Sequence, residues 1–154
     1  MDKKEIASAF NHGKALITFI TGGDPDLETT EKLLYTMQKA GADLIEIGIP
    51  FSDPIAEGPV IQEANERALS NGCTTDRLFD TVKKVRENGT VTIPIVYLTY
   101  INPIFTYGKE NFMKRIFPSE LTSSGFYSDL PIKKTEIDII KPAVEMTLVT
   151  KRLI

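Results

Sequence analysis

Two carboxylates eleven residues apart, Glu46 and Glu57, are the groups in this sequence best placed for proton-transfer chemistry. Glu46 interrupts an apolar run of strand length, Asp43-Leu44-Ile45-Glu46-Ile47. Side chains alternate faces along a strand, so Leu44 and Glu46 share one face while Ile45 and Ile47 share the other. A carboxylate on a largely apolar face costs free energy unless it is paired, protonated or solvated. Desolvation of that kind moves a carboxyl group toward the range useful for general acid–base work. Asp53 lies between the two glutamates, in a segment broken by Pro50, Pro54, Gly58 and Pro59. A loop so punctuated can turn back over the strand end and bring Glu46 and Glu57 to one small ligand. The plainer alternative is that Glu46 ends a strand in solvent and Asp53 caps the following helix. Spacing alone favours that alternative, because isolated acidic residues at strand ends are common.

The elements around this segment alternate. Lys3 to Phe10 reads as a short opening helix, and Ala15 to Ile20 is a continuous apolar run of strand length. Thr21-Gly22-Gly23-Asp24-Pro25-Asp26 is a turn-rich loop, with Asp26 placed to cap a helix. Thr30, Leu33, Leu34, Met37 and Ala40 recur at helical spacing, and Gly41 closes that helix. After the acidic loop, Pro59 suits a first helical position. Val60, Ile61, Ala64, Ala68 and Leu69 form the apolar face of the helix that follows. Thr75 is placed to cap a further helix through Glu87, Ile93 to Leu98 reads as a third strand, Tyr100 to Gly108 as a loop, and Lys109 to Arg115 as the next helix. Strands alternating with helices build a parallel sheet with right-handed crossovers. The pattern does not separate a doubly wound sheet from a (β/α)8 barrel.

Composition narrows the function classes. The chain has 154 residues, 42% hydrophobic and 25% charged, which fits one globular domain. A net charge of −3 gives no reason to expect nucleic acid, whose binders cluster Lys and Arg. No run approaches the ~18 apolar residues of a membrane span, and the polar start Met1-Asp2-Lys3-Lys4-Glu5 lacks a signal-peptide core. The single Cys73 excludes an internal disulfide and fits a reducing cytoplasm; near a helix end it reads as a small packing residue, not a nucleophile. With His12 the only histidine, a histidine-based metal site or a Ser-His-Asp triad is disfavoured. Neither a P-loop nor a dinucleotide fingerprint occurs, and Gly22-Gly23 is too weak to stand in as a phosphate cradle.

The run from Ile45 to Gln62, IEIGIPFSDPIAEGPVIQ, resembles the signature of the tryptophan synthase alpha chain. Its flanks agree: Phe19-Ile20-Thr21-Gly22-Gly23-Asp24-Pro25 upstream and Tyr97-Leu98-Thr99-Tyr100-Ile101-Asn102-Pro103-Ile104-Phe105 downstream. The likeness runs from about residue 1 to Arg115. It implies a (β/α)8 TIM barrel, of which this would be the N-terminal half. The implied activity is that of a carbon–carbon lyase of tryptophan biosynthesis: retro-aldol cleavage of indole-3-glycerol phosphate to indole and glyceraldehyde 3-phosphate. By resemblance, Glu46 is the general acid/base, and Glu57 accepts the indole N–H and stabilises developing positive charge. Many relatives carry aspartate where this chain has Glu57, so the charge is kept on a reach one methylene longer. Phe19, Leu98 and Tyr100 match positions lining the indole pocket; plain core packing is an equal reading for Leu98. Pro50, Asp53, Pro54 and Asn102 match loop positions that meet the beta chain, whose own cofactor is pyridoxal phosphate. No cofactor is implied for this chain.

Independently of the family, the loops with unusual residues follow the strands, where barrel enzymes hold their active groups. Such a barrel takes ~250 residues. Beyond Arg115, Ile116 to Tyr127 fits neither a helix face nor an obvious strand, although Asp129-Leu130-Pro131 and Glu136 to Pro142 resemble later family elements. Residues 116–154 therefore read as a divergent tail, either produced by a shifted reading frame or disordered. A half-barrel would leave sheet edges unpaired and prone to association. A fragment that binds the beta chain without catalysis is the alternative from another function class, and a different phosphosugar barrel enzyme is disfavoured by the specificity of the acidic loop.

Overall fold

The computed structural model describes residues 3–116 and 124–127, with side chains described for 6–116. Among the described residues, six helices and four strands follow one another as α1 (Lys3–Ser8), β1 (Ile17–Thr21), α2 (Leu27–Lys39), β2 (Leu44–Gly48), α3 (Pro59–Ser70), α4 (Thr75–Glu87), β3 (Ile95–Leu98), α5 (Ile101–Tyr107), α6 (Lys109–Ile116) and β4 (Ser124–Tyr127). All strands are parallel and lie in the order β1-β2-β3-β4. Adding each strand beside the previous one, in sequence order, is the winding of a barrel; a doubly wound sheet reverses direction at a switch point. The sheet's geometry thus resolves what the pattern left open.

Strand register sorts the side chains into two faces. Ile45, Ile47, Ile95 and Tyr97 point outward and join Leu34, Leu78, Phe79, Val82, Val85, Phe112 and Ile116 from the helices in the main core. Phe79 is its hub, edge-on to Tyr97, Tyr107 and Phe112 at ring separations of 5.1, 6.1 and 5.2 Å. Burial pushes the Tyr97 phenol far above its ordinary value. On the inward face, Leu44 and Val96 are covered near the strand starts by Ile6 and Ala9, at and just beyond α1. Further up, Phe19 stands beside Glu46, and Glu46 beside Val96.

Several local readings need correction. Tyr100 to Gly108 is not a loop: Ile101 to Tyr107 is helical, because Pro103 falls in the first turn, where no N–H is needed. The cap of α4 is Thr74, one residue earlier than Thr75, its hydroxyl oxygen accepting from the Arg77 N–H at 3.3 Å. Asp26 does cap α2, accepting from the Thr29 N–H at 2.6 Å. On α3, Val60 and Leu69 face solvent at 76% and 36% exposure, and Asn65 takes a place in the buried stripe with Ala64 and Ala68. The divergent segment contributes β4, whose backbone pairs with β3 from Ile95↔Ser124 to Leu98↔Tyr127, and α6 extends through Ile116. The likenesses at Asp129-Leu130-Pro131 and Glu136 to Pro142 lie outside the described residues.

Candidate functional site

The C-terminal ends of β1, β2 and β3 open onto a recess of about 20 Å³, room on the order of one water. Phe19, Glu57, Leu98 and Tyr100, each singled out from sequence, all line it. The recess owes its form to Gly48. A Cβ there would stand 3.0 Å from the Phe19 ring, so any larger residue would push that ring from its place across the end of β2. Ile49 and Ile61 complete the apolar wall, and Thr21, Asn65 and Thr99 bring polar groups. The glycine and these polar residues were not foreseen. Gly48 is the last residue of β2 and nothing beside it in sequence marks the ring it must admit, and Asn65 interrupts an apolar helix face by one residue.

The acidic loop does fold back over the strand ends, and Tyr100 holds it there. The backbone N–H of Ala56 donates to the Tyr100 hydroxyl oxygen at 3.0 Å, and that hydroxyl donates to Glu57 Oε1 at 3.4 Å. The Phe51 ring packs on Tyr100 with centroids 5.2 Å apart. The Tyr100 phenol, at the N-cap of α5, thus ties down both Ala56 and Glu57, some forty residues earlier in the chain. Glu57 is half-buried, and its carbonyl oxygen accepts from Gln62 Nε2 at 2.7 Å, which seats the loop against α3.

Glu46 is not among the residues lining the recess. It sits one pleat below Gly48 on the same face of β2, roughly 7 Å down the strand, flanked by Phe19 and Val96. Glu46 is half-buried and lies within β2, two residues before its end. The plainer reading of Glu46 as a solvated strand end therefore does not describe it. Asp53 does not cap α3 either: the N-cap is Gly58, without a side-chain bond, and the exposed Asp53 carboxylate accepts from the Ser52 hydroxyl at 2.5 Å. Pro50 and Pro54 are half-buried along the same loop, and Asn102 is exposed in the first turn of α5, not in a loop.

Gly22 and Gly23 serve packing. Added Cβ atoms would meet Leu78 at 2.6 Å and the Cys73 sulfur at 2.4 Å, and the Gly23 N–H already donates to the Thr30 hydroxyl oxygen at 2.8 Å. Cys73 itself is buried, and burial pushes its thiol up from the ordinary value, which leaves it unsuited to nucleophilic attack. Among the described residues there is no cluster of three metal-ligating side chains, and no helix is long and apolar enough to cross a membrane.

Comparison with known proteins gives this geometry its context. The family model described as tryptophan synthase alpha chain matches residues 7–149, well past Arg115. The tryptophan synthase alpha chain of Alkaliphilus metalliredigens is 47% identical over 138 residues, covering 88% of this chain and 50% of that protein. That of Geotalea daltonii is 57% identical over 105 residues, 68% of this chain and 39% of its own length. Among solved structures, the alpha subunit from Legionella pneumophila superposes with a TM-score of 0.79 at 36% identity, over 92% of this chain and 53% of that one. The tryptophan synthase complex from Pyrococcus furiosus does so with a TM-score of 0.72 at 39% identity, over 84% and 53%. The chain spans about half the length of the relatives it matches.

Proposed function

Because this chain belongs to the tryptophan synthase alpha chain family, a family of lyases with a TIM-barrel fold, we propose that it carries the ring-binding and proton-transfer part of the cleavage of indole-3-glycerol phosphate. The observation that supports this most is the meeting of Phe19, Leu98, Tyr100 and Glu57 at one recess, with Glu46 one pleat below. In this reading the indole ring lies between Phe19 and Leu98, entering as the Phe19 ring swings aside. Phe19 is free to do so, being 37% exposed on an edge strand. Glu57 accepts the ring N–H and stabilises the positive charge that develops there. Glu46 delivers a proton to the ring carbon bearing the side chain and takes the proton of the side-chain hydroxyl as the carbon–carbon bond breaks. Two carboxyl groups in different surroundings can divide these duties, one half-buried on a strand and one held by a phenol. The chain is assigned no cofactor; pyridoxal phosphate stays with the beta partner, and the reaction belongs in the cytoplasm.

The test is indole release. The purified chain, mixed with the C-terminal half of a full-length relative to complete the barrel, is expected to liberate indole from indole-3-glycerol phosphate. Glu46→Gln should reduce the rate by at least 10²-fold, the scale of a lost general acid–base. Equal rates for the variant would remove Glu46 from the mechanism.

A second reading is favoured by one observation: the loop after β2 presents Asp53 and Ile55 to solvent, the latter 81% exposed, beside the start of α5. Such an apolar tip with an acidic neighbour suits docking on the beta chain through Pro50, Asp53, Pro54 and Asn102. Co-purification with the beta chain, weakened by Asp53→Ala, is the expected result; equal capture of both forms would count against it.

A further inference from the structure

Three of the four buried polar side chains among the described residues gather at the recess: Thr21, Asn65 and Thr99, at 8%, 6% and 4% exposure. Buried polar groups are ordinarily hydrogen-bonded, because an unmade bond leaves the cost of desolvation standing. Thr99 conforms, donating to the Tyr100 carbonyl oxygen at 3.2 Å. The Asn65 amide makes no hydrogen bond to another described residue, and its polar atoms keep contact with the open recess they line, where a ligand can reach them. Its place on α3 gives no structural reason for an amide: the neighbours on the stripe are Ala64 and Ala68, and an apolar residue would pack there without penalty.

An amide offers two donors and one acceptor and carries no charge. Its natural complement is a hydroxyl, which also donates and accepts; an anion would call for a cation, and none lines the recess. We propose that Asn65 is a ligand-binding residue whose amide pairs with a hydroxyl on a short side chain of an indole-class ligand, and that it sets specificity for ligands bearing that hydroxyl. This rests on the ring-binding reading above, in which Glu57 is engaged by the ring N–H and a second polar group needs a partner of its own. A site that hydrogen-bonds a hydroxyl rejects analogues lacking it, because its own buried group is then left unpaired.

The experiment compares two probes, indole and indole-3-ethanol, titrated into the isotope-labelled full chain and followed by NMR, with melting temperatures recorded alongside. The wild-type chain should bind indole-3-ethanol about fivefold more tightly than indole, the worth of one neutral hydrogen bond. Asn65→Leu should bring the two affinities to parity and hold or raise the melting temperature. Asn65→Ala repeats the measurement should leucine not fit the helix seat, with the same loss of preference expected. A preference that survives both substitutions overturns the proposal. So does a fall in melting temperature accompanied by equal weakening of both probes, which marks a structural amide. A wild-type chain that binds both probes equally removes the Asn65 assignment alone; one that binds neither removes the ring-binding reading with it.

Discussion

The outer and inner faces of the same four-stranded sheet are built to different ends. Outward, Ile45, Ile47 and Ile95 are completely buried under helices, and the core they join is aromatic and continuous. Inward, the buried apolar cluster is confined to Ala9, Leu44 and Val96 near the strand starts, while Phe19 and Ile17 stay 37% and 43% exposed. Glu46, Gly48 and Leu98 belong to this second face. Residues two apart on one strand therefore answer to one demand, and their immediate neighbours to the other. Stability lies with the odd-numbered positions of β2, and the proposed chemistry with the even-numbered ones above Leu44.

That contrast can be broken by substitution. Phe112→Ala, which empties a fully buried site on the outer side, should cost about 3–5 kcal/mol in denaturant unfolding. Phe19→Ala on the inner side should cost about 1 kcal/mol or less, in keeping with its exposure, yet abolish measurable indole binding. Comparable destabilisation by both would erase the distinction. Gly48→Ala comes next. Its new methyl, 3.0 Å from the Phe19 ring, must displace that ring, so indole affinity should fall about tenfold in titration while unfolding shifts by about 1 kcal/mol.

These residues also show what the sequence could and could not convey. Period-two alternation in Leu44 to Ile47 was enough to assign the two faces, since pleat geometry is local. Asp26 and Pro59 marked their helix starts because capping and the first-turn tolerance of proline are local too. By contrast, α5 was hidden behind Asn102-Pro103, a pair that reads as a turn unless Pro103 is known to sit in a first turn. β4 was hidden because Ser124-Gly125-Phe126-Tyr127 has little strand character of its own and is held by pairing with β3. The family resemblance named Phe19, Glu57, Leu98 and Tyr100, which meet at the recess, and Glu46, which lies one pleat below it. The bonds by which Tyr100 secures the loop, and the unpaired amide of Asn65, arise from contacts between distant segments that no spacing rule encodes.

Two smaller effects sharpen the picture. Tyr100→Phe deletes the acceptor for the Ala56 N–H and the donor to Glu57, at a cost of about 1 kcal/mol. Hydrogen exchange at the Ala56 amide should accelerate while amides of Ile45 and Ile47 do not change; uniform acceleration would mean that Tyr100 supports the whole fold. The smallest effect concerns pH. The Thr29 N–H holds the Asp26 carboxyl below its ordinary 3.8, so the capping contribution is present above that value and is lost as pH falls through the lower folded-state value. Asp26→Asn keeps a capping oxygen and should flatten that part of the acid melting profile, with no change at neutral pH beyond a small shift; an unaltered acid profile would show that the cap does not titrate with folding.

Whether the inner face binds an indole ring at the strand ends is decided by titrating indole into the isotope-labelled chain and mapping amide shifts. Saturable shifts at Phe19, Gly48, Leu98 and Tyr100, with Ile45 and Tyr97 unmoved, are the predicted result. Shifts confined to the outer helices, or none that saturate, would contradict it.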